Sequence, residues 1–212
     1  KHEFLIIEME LLNESAPNPL AKTPKSGMST GGKILIAATG GVGIGLSIVC
    51  ASFVAPAFRR ICLPYVPATT EQIQNVLSFL PKNSAGKLLD IGSGDGRIVV
   101  AAAQHCGALK ADGVELNPWL VYYSRLAALR HSVSKRTRFF RRDLWKFDIK
   151  DYNFVVIFGV EQMMQDLEHK LIAECPHNTK IIACRFPLPS LEHVKIIEDG
   201  VNTVWFYDLN KS

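Results

Sequence analysis

The sequence predicts an α/β fold in which a mostly parallel sheet of seven strands ends in an antiparallel hairpin, with one hydrophobic helix ahead of it. Three observations carry this prediction. Five short apolar runs between residues 87 and 185 are interleaved with helix-period segments, two further strands close the chain with no helix between them, and residues 34–58 contain no charge. Interleaved helices dictate parallel strands joined by right-handed crossovers, whereas two strands joined directly pair antiparallel.

In chain order, residues 1–32 hold a short apolar run at 4–7 and then a Pro-, Ser-, Asn- and Gly-rich stretch without period, the composition of a flexible tail. Glu3, Glu8, Glu10 and Glu14 do not suit an Arg-rich, acid-poor presequence. Residues 33–58 read as a transmembrane or membrane-anchor segment, because Ile34 to Ala55 as a helix spans about 33 Å, close to a bilayer's hydrocarbon thickness. Lys33 and Arg59-Arg60 flank it with cations suited to the interfacial layers. Gly41 and Gly45 form a small-residue pair that lets another helix approach, and a buried helix of the soluble domain stands as the alternative. The glycines at 40–45 resemble a phosphate loop, but no acid follows at the required spacing.

Residues 59–212 read as the catalytic domain. Thr69 with Gln72 makes a capping box for a helix whose apolar face is Ile73, Val76, Leu77 and Leu80, ending near Pro81. Strands are expected at 87–91, 111–115, 137–141, 153–158 and 180–185, and helices from Arg97, over 119–131 and over 162–173. Strands at 194–197 and 203–207 would be joined by a tight Asp199-Gly200 turn.

The chain's 212 residues suffice for one well-buried domain plus an appendage. A net charge of +4 is too small to require nucleic acid, though it suits an anionic membrane surface or an acidic substrate. Five scattered cysteines, never in C-x-x-C spacing, suggest neither a disulfide framework nor a metal site, and Cys106 and Cys184 read as small buried hydrophobes.

The chemistry concentrates at Asp90, Gly92, Gly94 and Gly96, where an apolar strand ends in an acid and then in alternate glycines before a helix. Without Cβ atoms the turn can lie against a nucleoside and an amino-acid moiety, and the helix start offers N–H donors. A dinucleotide site shows G-x-G-x-x-G; the G-x-G-x-G spacing after an acid favours S-adenosylmethionine, whose ammonium and sulfonium suit the carboxylate. Glu115 ends the second strand, from which a carboxylate can accept both ribose hydroxyls. Asp143, with apolar Leu144 and Trp145 beside it, ends the third and can accept the adenine amino group; a helix cap is its plainer role.

These residues resemble a known family. The strings Asp90-Ile-Gly-Ser-Gly-Asp-Gly-Arg97, Glu115-Leu-Asn-Pro-Trp119, Asp143-Leu-Trp-Lys146, Val156-Ile-Phe-Gly159 and Cys184-Arg-Phe-Pro187, preceded by the stretch at 63–70, are similar to the small membrane-anchored mitochondrial lysine methyltransferases. The resemblance implies a Rossmann-like, seven-stranded class I methyltransferase fold. It implies that Asp90, Gly92, Gly94, Gly96, Glu115, Asn117, Asp143 and Leu144 hold S-adenosylmethionine, and that a protein lysine of the inner mitochondrial membrane is trimethylated. The substrate so implied is the ATP synthase c subunit, with the adenine nucleotide translocase as the alternative, and the N-terminal hydrophobic segment as anchor. The sequence departs from the family pattern at Val114 and at Ser190-Leu191.

Methyl transfer to lysine is an in-line displacement that positioning and an apolar channel can promote, so no general base is nominated. Residues 158–161 and Phe186-Pro187 are where a substrate lysine would enter, with Glu161 either steering an ammonium or serving as a helix-start acid. Trp119, Tyr122, Tyr123 and Trp145 read mostly as core packing. Lys135, Arg136, Arg138, Arg141 and Arg142 form either a solvated basic face or a footprint for a cardiolipin-rich membrane or an acidic surface of the substrate complex. A nucleic-acid methyltransferase and a cofactor-holding protein without turnover are the competing readings; no nucleic acid is expected as partner.

Overall fold

The structure, a computed structural model, describes residues 29–54 and 65–210. Helix α1, Thr30–Val54, is a 25-residue apolar helix. The window Thr30–Ala51 is apolar and long enough to cross a bilayer, and it is 0% buried. Ile34, Leu35, Val42 and Ile44 are exposed, and Thr39 returns its hydroxyl to the Leu35 carbonyl at 2.7 Å, so this polar side chain is satisfied within the helix. The tail before residue 29, the end of the predicted anchor and its Arg59-Arg60 flank lie outside the described residues.

The α/β part runs α2 (Thr70–Ser78), β1 (Gly86–Ile91), α3 (Arg97–His105), β2 (Leu109–Glu115), α4 (Pro118–Arg130), β3 (Thr137–Arg141), β4 (Phe154–Phe158), α5 (Glu161–Glu174), β5 (Lys180–Cys184), β6 (Lys195–Ile197) and β7 (Val204–Asp208). These match the expected elements to within about two residues, the usual uncertainty of helix and strand ends. The seven strands form one sheet in the order β3-β2-β1-β4-β5-β7-β6, parallel from β3 to β5 and antiparallel at β7 and β6.

Both sheet faces are covered, which is why the central strands read as continuous apolar runs. Leu88 and Val156 point to one core with Val76 of α2, Val99 of α3 and Val121 of α4. Leu89, Val155 and Ile157 point to the other, packed on Met163, Met164 and Leu167 of α5. Cys106 and Cys184 are fully buried among these hydrophobes, as expected.

Two local expectations are corrected. Thr69 accepts from the Gln72 amide at 3.1 Å, but the buried Gln72 side chain makes no hydrogen bond, so only half of the capping box forms. The hairpin has no two-residue Asp199-Gly200 turn: Gly200–Asn202 forms a 3-10 turn, and the connection is longer. Its bonds go to α2 instead, with Thr69 Oγ1 donating to Asn202 at 2.8 Å and Asn75 donating to Asp199 and to the Asn202 carbonyl, each at 3.3 Å. Tertiary docking overrides the local turn preference.

Candidate active site

The chain leaves β1 toward β2 and β3 on one side and returns to β4 and β5 on the other. That reversal opens a crevice at the carboxyl ends of the strands. A pocket of about 590 Å³ occupies it, a size suited to a nucleoside-sized ligand.

Asp90 lies at its floor, 1% exposed, with Oδ1 accepting no hydrogen bond. Burial, reinforced by the Glu115 and Asp95 carboxylates, pushes its carboxyl up to about 8. Ser93, also buried at the pocket, has an unpartnered hydroxyl. The Ser93 side chain lies against β2, its Oγ 2.6 Å from where a Cβ on Gly113 would stand, whereas the buried Asp90 acceptor at the pocket is costly unless a ligand completes it. Gly92 takes a left-handed φ of +74° and no atom lies within 4 Å of where its Cβ would be, so its backbone faces open pocket. Gly94 lies beneath the Tyr65 ring at the same wall. Gly96 is a correction: it does not line the pocket, and a Cβ there would meet Phe139 and Ser124 at 2.7 and 2.8 Å, so this glycine serves close packing beneath the turn.

Glu115 lines the pocket beside the turn. Oε2 accepts from the Gly94 amide at 3.1 Å, and Oε1 from the Leu116 and Asn117 amides, each at 2.8 Å. A carboxylate has about four acceptor positions. Three are used by backbone amides, and one acceptor position stays open toward the pocket. Asn117 is buried at the rim and caps α4, its Oδ1 accepting from the Trp119 amide at 3.0 Å. Asp143 likewise caps the short turn Leu144–Lys146 by accepting from the Trp145 amide at 3.1 Å, while Asp143, Leu144 and Trp145 all line the pocket. The cap and the wall are the same residue.

The spacing reading missed the roof and the far wall. Tyr65, Val66, Pro67 and Ala68 cover the pocket. Arg97 clasps them in place: its Nη1 donates to the Ala68 carbonyl at 2.6 Å while its other nitrogens grip Asp95, Nη2 at 2.6 Å. Burial and the neighbouring Asp95 push the Tyr65 hydroxyl up to about 12. Only the family-like string at 63–70 signalled this segment.

The far wall comprises Phe158, Gly159, Val160, Met163, Arg185 and Phe186. Arg185 is strained, with φ +71°, and its guanidinium carbon lies 4.8 Å from the Phe158 ring centroid, a cation–π contact. Nothing in the local pattern marks it. Glu161 and Pro187 are exposed and do not line the pocket.

Trp119, Tyr122 and Tyr123 are not core packing: they are 40%, 60% and 59% exposed, because the opposite face of α4 is the one that meets the sheet, and Trp145, 38% exposed in the turn Leu144–Lys146, lines the pocket. The basic cluster also divides. Arg136 donates to the Ala103 and Cys106 carbonyls and Arg138 pairs with the buried Asp112, whereas Lys135 and Arg141 are exposed and Arg142 lines the pocket.

With this geometry, the chain matches two family models, an ANTKMT methyltransferase domain over residues 90–195 and the N-terminal domain of the ATP synthase c-subunit lysine N-methyltransferases over residues 25–59. An ATP synthase c-subunit lysine N-methyltransferase of Xenopus laevis is 52% identical, covering 84% of this chain and 77% of that protein. An adenine nucleotide translocase lysine N-methyltransferase of Mus musculus is 42% identical, covering 84% and 79%. Among solved structures, an RNA methyltransferase from Salinibacter ruber in complex with S-adenosyl-L-homocysteine superposes with a TM-score of 0.65 at 26% identity, covering 68% of this chain and 94% of that one.

Proposed function

This chain belongs to the ATP synthase c-subunit lysine N-methyltransferase family, and from that premise we propose that it methylates a lysine of the ATP synthase c subunit in the inner mitochondrial membrane, anchored there by α1. It is an S-adenosylmethionine-dependent protein-lysine N-methyltransferase. The observation that carries the site assignment is the buried, unpartnered Asp90 carboxylate at the floor of the strand-end crevice. Such a group, once ionised, accepts from a ligand bearing an ammonium.

In this reading Asp90 holds the amino-acid end of the cofactor. Gly92 admits it without a Cβ, Glu115 accepts a ribose hydroxyl, and Asp143 with Leu144 and Trp145 holds the adenine. Asn117 supports the rim as the cap of α4. Bound there, S-adenosylmethionine supplies an electrophilic methyl on a sulfonium. Phe158, Val160, Met163 and Phe186 wall the acceptor end with apolar surface, which disfavours a charged lysine ammonium and leaves the amine lone pair available. The Arg185 guanidinium at the same wall acts in the same sense by charge. Positioning carries the transfer, and no residue is assigned as base.

The test is incubation of the wild type and Asp90→Ala with radiolabelled S-adenosylmethionine and mitochondrial membranes from cells lacking the enzyme. A small hydrophobic labelled band, formed by the wild type only and mapped to a c-subunit lysine, is expected, and its mass gives the number of methyl groups added. Label in the larger translocase instead supports the sister activity, and label in RNA overturns the protein-lysine substrate. Alkaline carbonate should leave the protein in the membrane pellet; its release removes the anchor.

A further inference from the structure

Helix α4 is apolar on both faces. Leu120, Val121 and Ala128 bury one against the sheet, while Tyr122, Tyr123, Leu126 and Leu129 stand 60%, 59%, 47% and 62% exposed on the other, joined by the partly exposed Trp119. Positions 119, 122, 123, 126 and 129 follow the three-and-four spacing of one helical stripe. A contiguous exposed stripe of this kind marks a surface that meets something other than water.

Its chemistry selects the partner. Tyr and Trp with an apolar body and a polar tip are the side chains of the bilayer interface. Between residues 118 and 142 the chain carries seven Arg and Lys and no Asp or Glu. Arg136 donates to carbonyls inside the fold and the exposed Arg138 is paired with Asp112, and Arg130, Lys135 and Arg141 are exposed on α4 and around the neighbouring edge strand. Each basic side chain brought to an anionic lipid surface multiplies the partition about fivefold. The same chain also carries a helix long and apolar enough to cross a bilayer.

We propose that the exposed face of α4 is a membrane-docking surface, in which the Tyr122, Tyr123, Leu126 and Leu129 side chains enter the headgroup layer of an anionic bilayer and the surrounding Arg and Lys bind its lipid phosphates. Asn117 and Leu120, at the start of α4, line the pocket, so docking brings the pocket rim to the bilayer surface. The proposal rests on this surface alone and stands whatever lysine is methylated.

The test uses the full chain, with Trp145→Phe and Trp205→Phe leaving Trp119 as the reporter, reconstituted into nanodiscs containing lipids brominated near the headgroup. In discs with one third anionic phospholipid, roughly half of the Trp119 emission should be quenched, as expected for a group at the headgroup boundary, with much less quenching in wholly zwitterionic discs. Tyr122→Ser/Tyr123→Ser/Leu126→Ser should lose the quenching while the chain stays in the disc, and Arg130→Glu/Lys135→Glu should lose its dependence on anionic lipid while keeping the apolar stripe and the helix. Equal quenching in both lipids, or in wild type and the serine variant, overturns the proposal. So does shielding of Trp119 by added RNA with none by the bilayer, which would make α4 a nucleic-acid face.

Discussion

Asp90 is the residue where fold and function disagree most. Its folded carboxyl titrates at about 8 against an ordinary 3.8, so without ligand the folded protein holds a proton that the unfolded chain has released. This group's contribution to stability is therefore full below 3.8, falls as pH rises toward about 8, and is flat beyond. Asp90→Asn should abolish this slope and leave the ligand-free protein more stable at pH 8, by up to a few kcal/mol, while weakening cofactor binding about tenfold or more. Urea midpoints against pH and titration calorimetry measure the two effects, and a wild-type slope retained by the variant would place the titration elsewhere. The glycines separate in the same manner. Gly92→Ala meets no atom and should cost about 1 kcal/mol in stability for its left-handed backbone but most of the cofactor affinity. Gly96→Ala collides with Phe139 and Ser124 and should destabilise by about 2 kcal/mol or more, as thermal unfolding will register. From the sequence the two are indistinguishable, since alternate spacing says that a turn is close to something and not whether that is ligand or core. Asp90, Glu115 and Asp143 were legible because strand ends fix which acids reach the crevice. Arg185 was not, because its strain and its contact with Phe158 arise from two strands far apart in the chain.

Among the elements, the roof over the pocket shows how long-range bonds escape a sequence reading. Tyr65 to Ala68 have no period of their own, and Arg97 of α3 holds them through one carbonyl and one carboxylate. Arg97→Met keeps the side chain's bulk and removes both bonds. It should free the roof segment, seen as faster amide exchange at residues 65–69, and weaken cofactor binding by about tenfold, while α3 itself persists. Unchanged exchange there would mean that packing alone holds the roof. The same principle explains the hairpin: an Asp-Gly pair is a strong local signal, but Asn75 and Thr69 of a distant segment bind the connection and lengthen it. Helix α4 was legible in position and not in facing, because a helix apolar all round gives no phase from which to read its buried side.

For the whole molecule, strand and helix alternation was enough to read seven strands and where parallel pairing stops, since those follow from connection length alone. The polar ties across the sheet were invisible. Asp112, 1% exposed in β2, accepts from Arg138 of β3 at 3.1 Å and from Tyr152, ahead of β4, at 3.0 Å. Asp112→Ala leaves the Tyr152 hydroxyl buried and unbonded and should lower global stability by about 2–3 kcal/mol, read as a reduced urea midpoint with an unchanged slope; an unaltered midpoint would show that water replaces the carboxylate.

The strand order has one more consequence. The sheet's two outermost strands are β3, a five-residue strand bearing Arg138 and Arg141, and β6, a three-residue strand beginning at Lys195. Short edges carrying cations make poor templates for another molecule's backbone, because a second copy would bring like charges together along the new seam. At high local concentration this guards against one sheet extending edge to edge into the next.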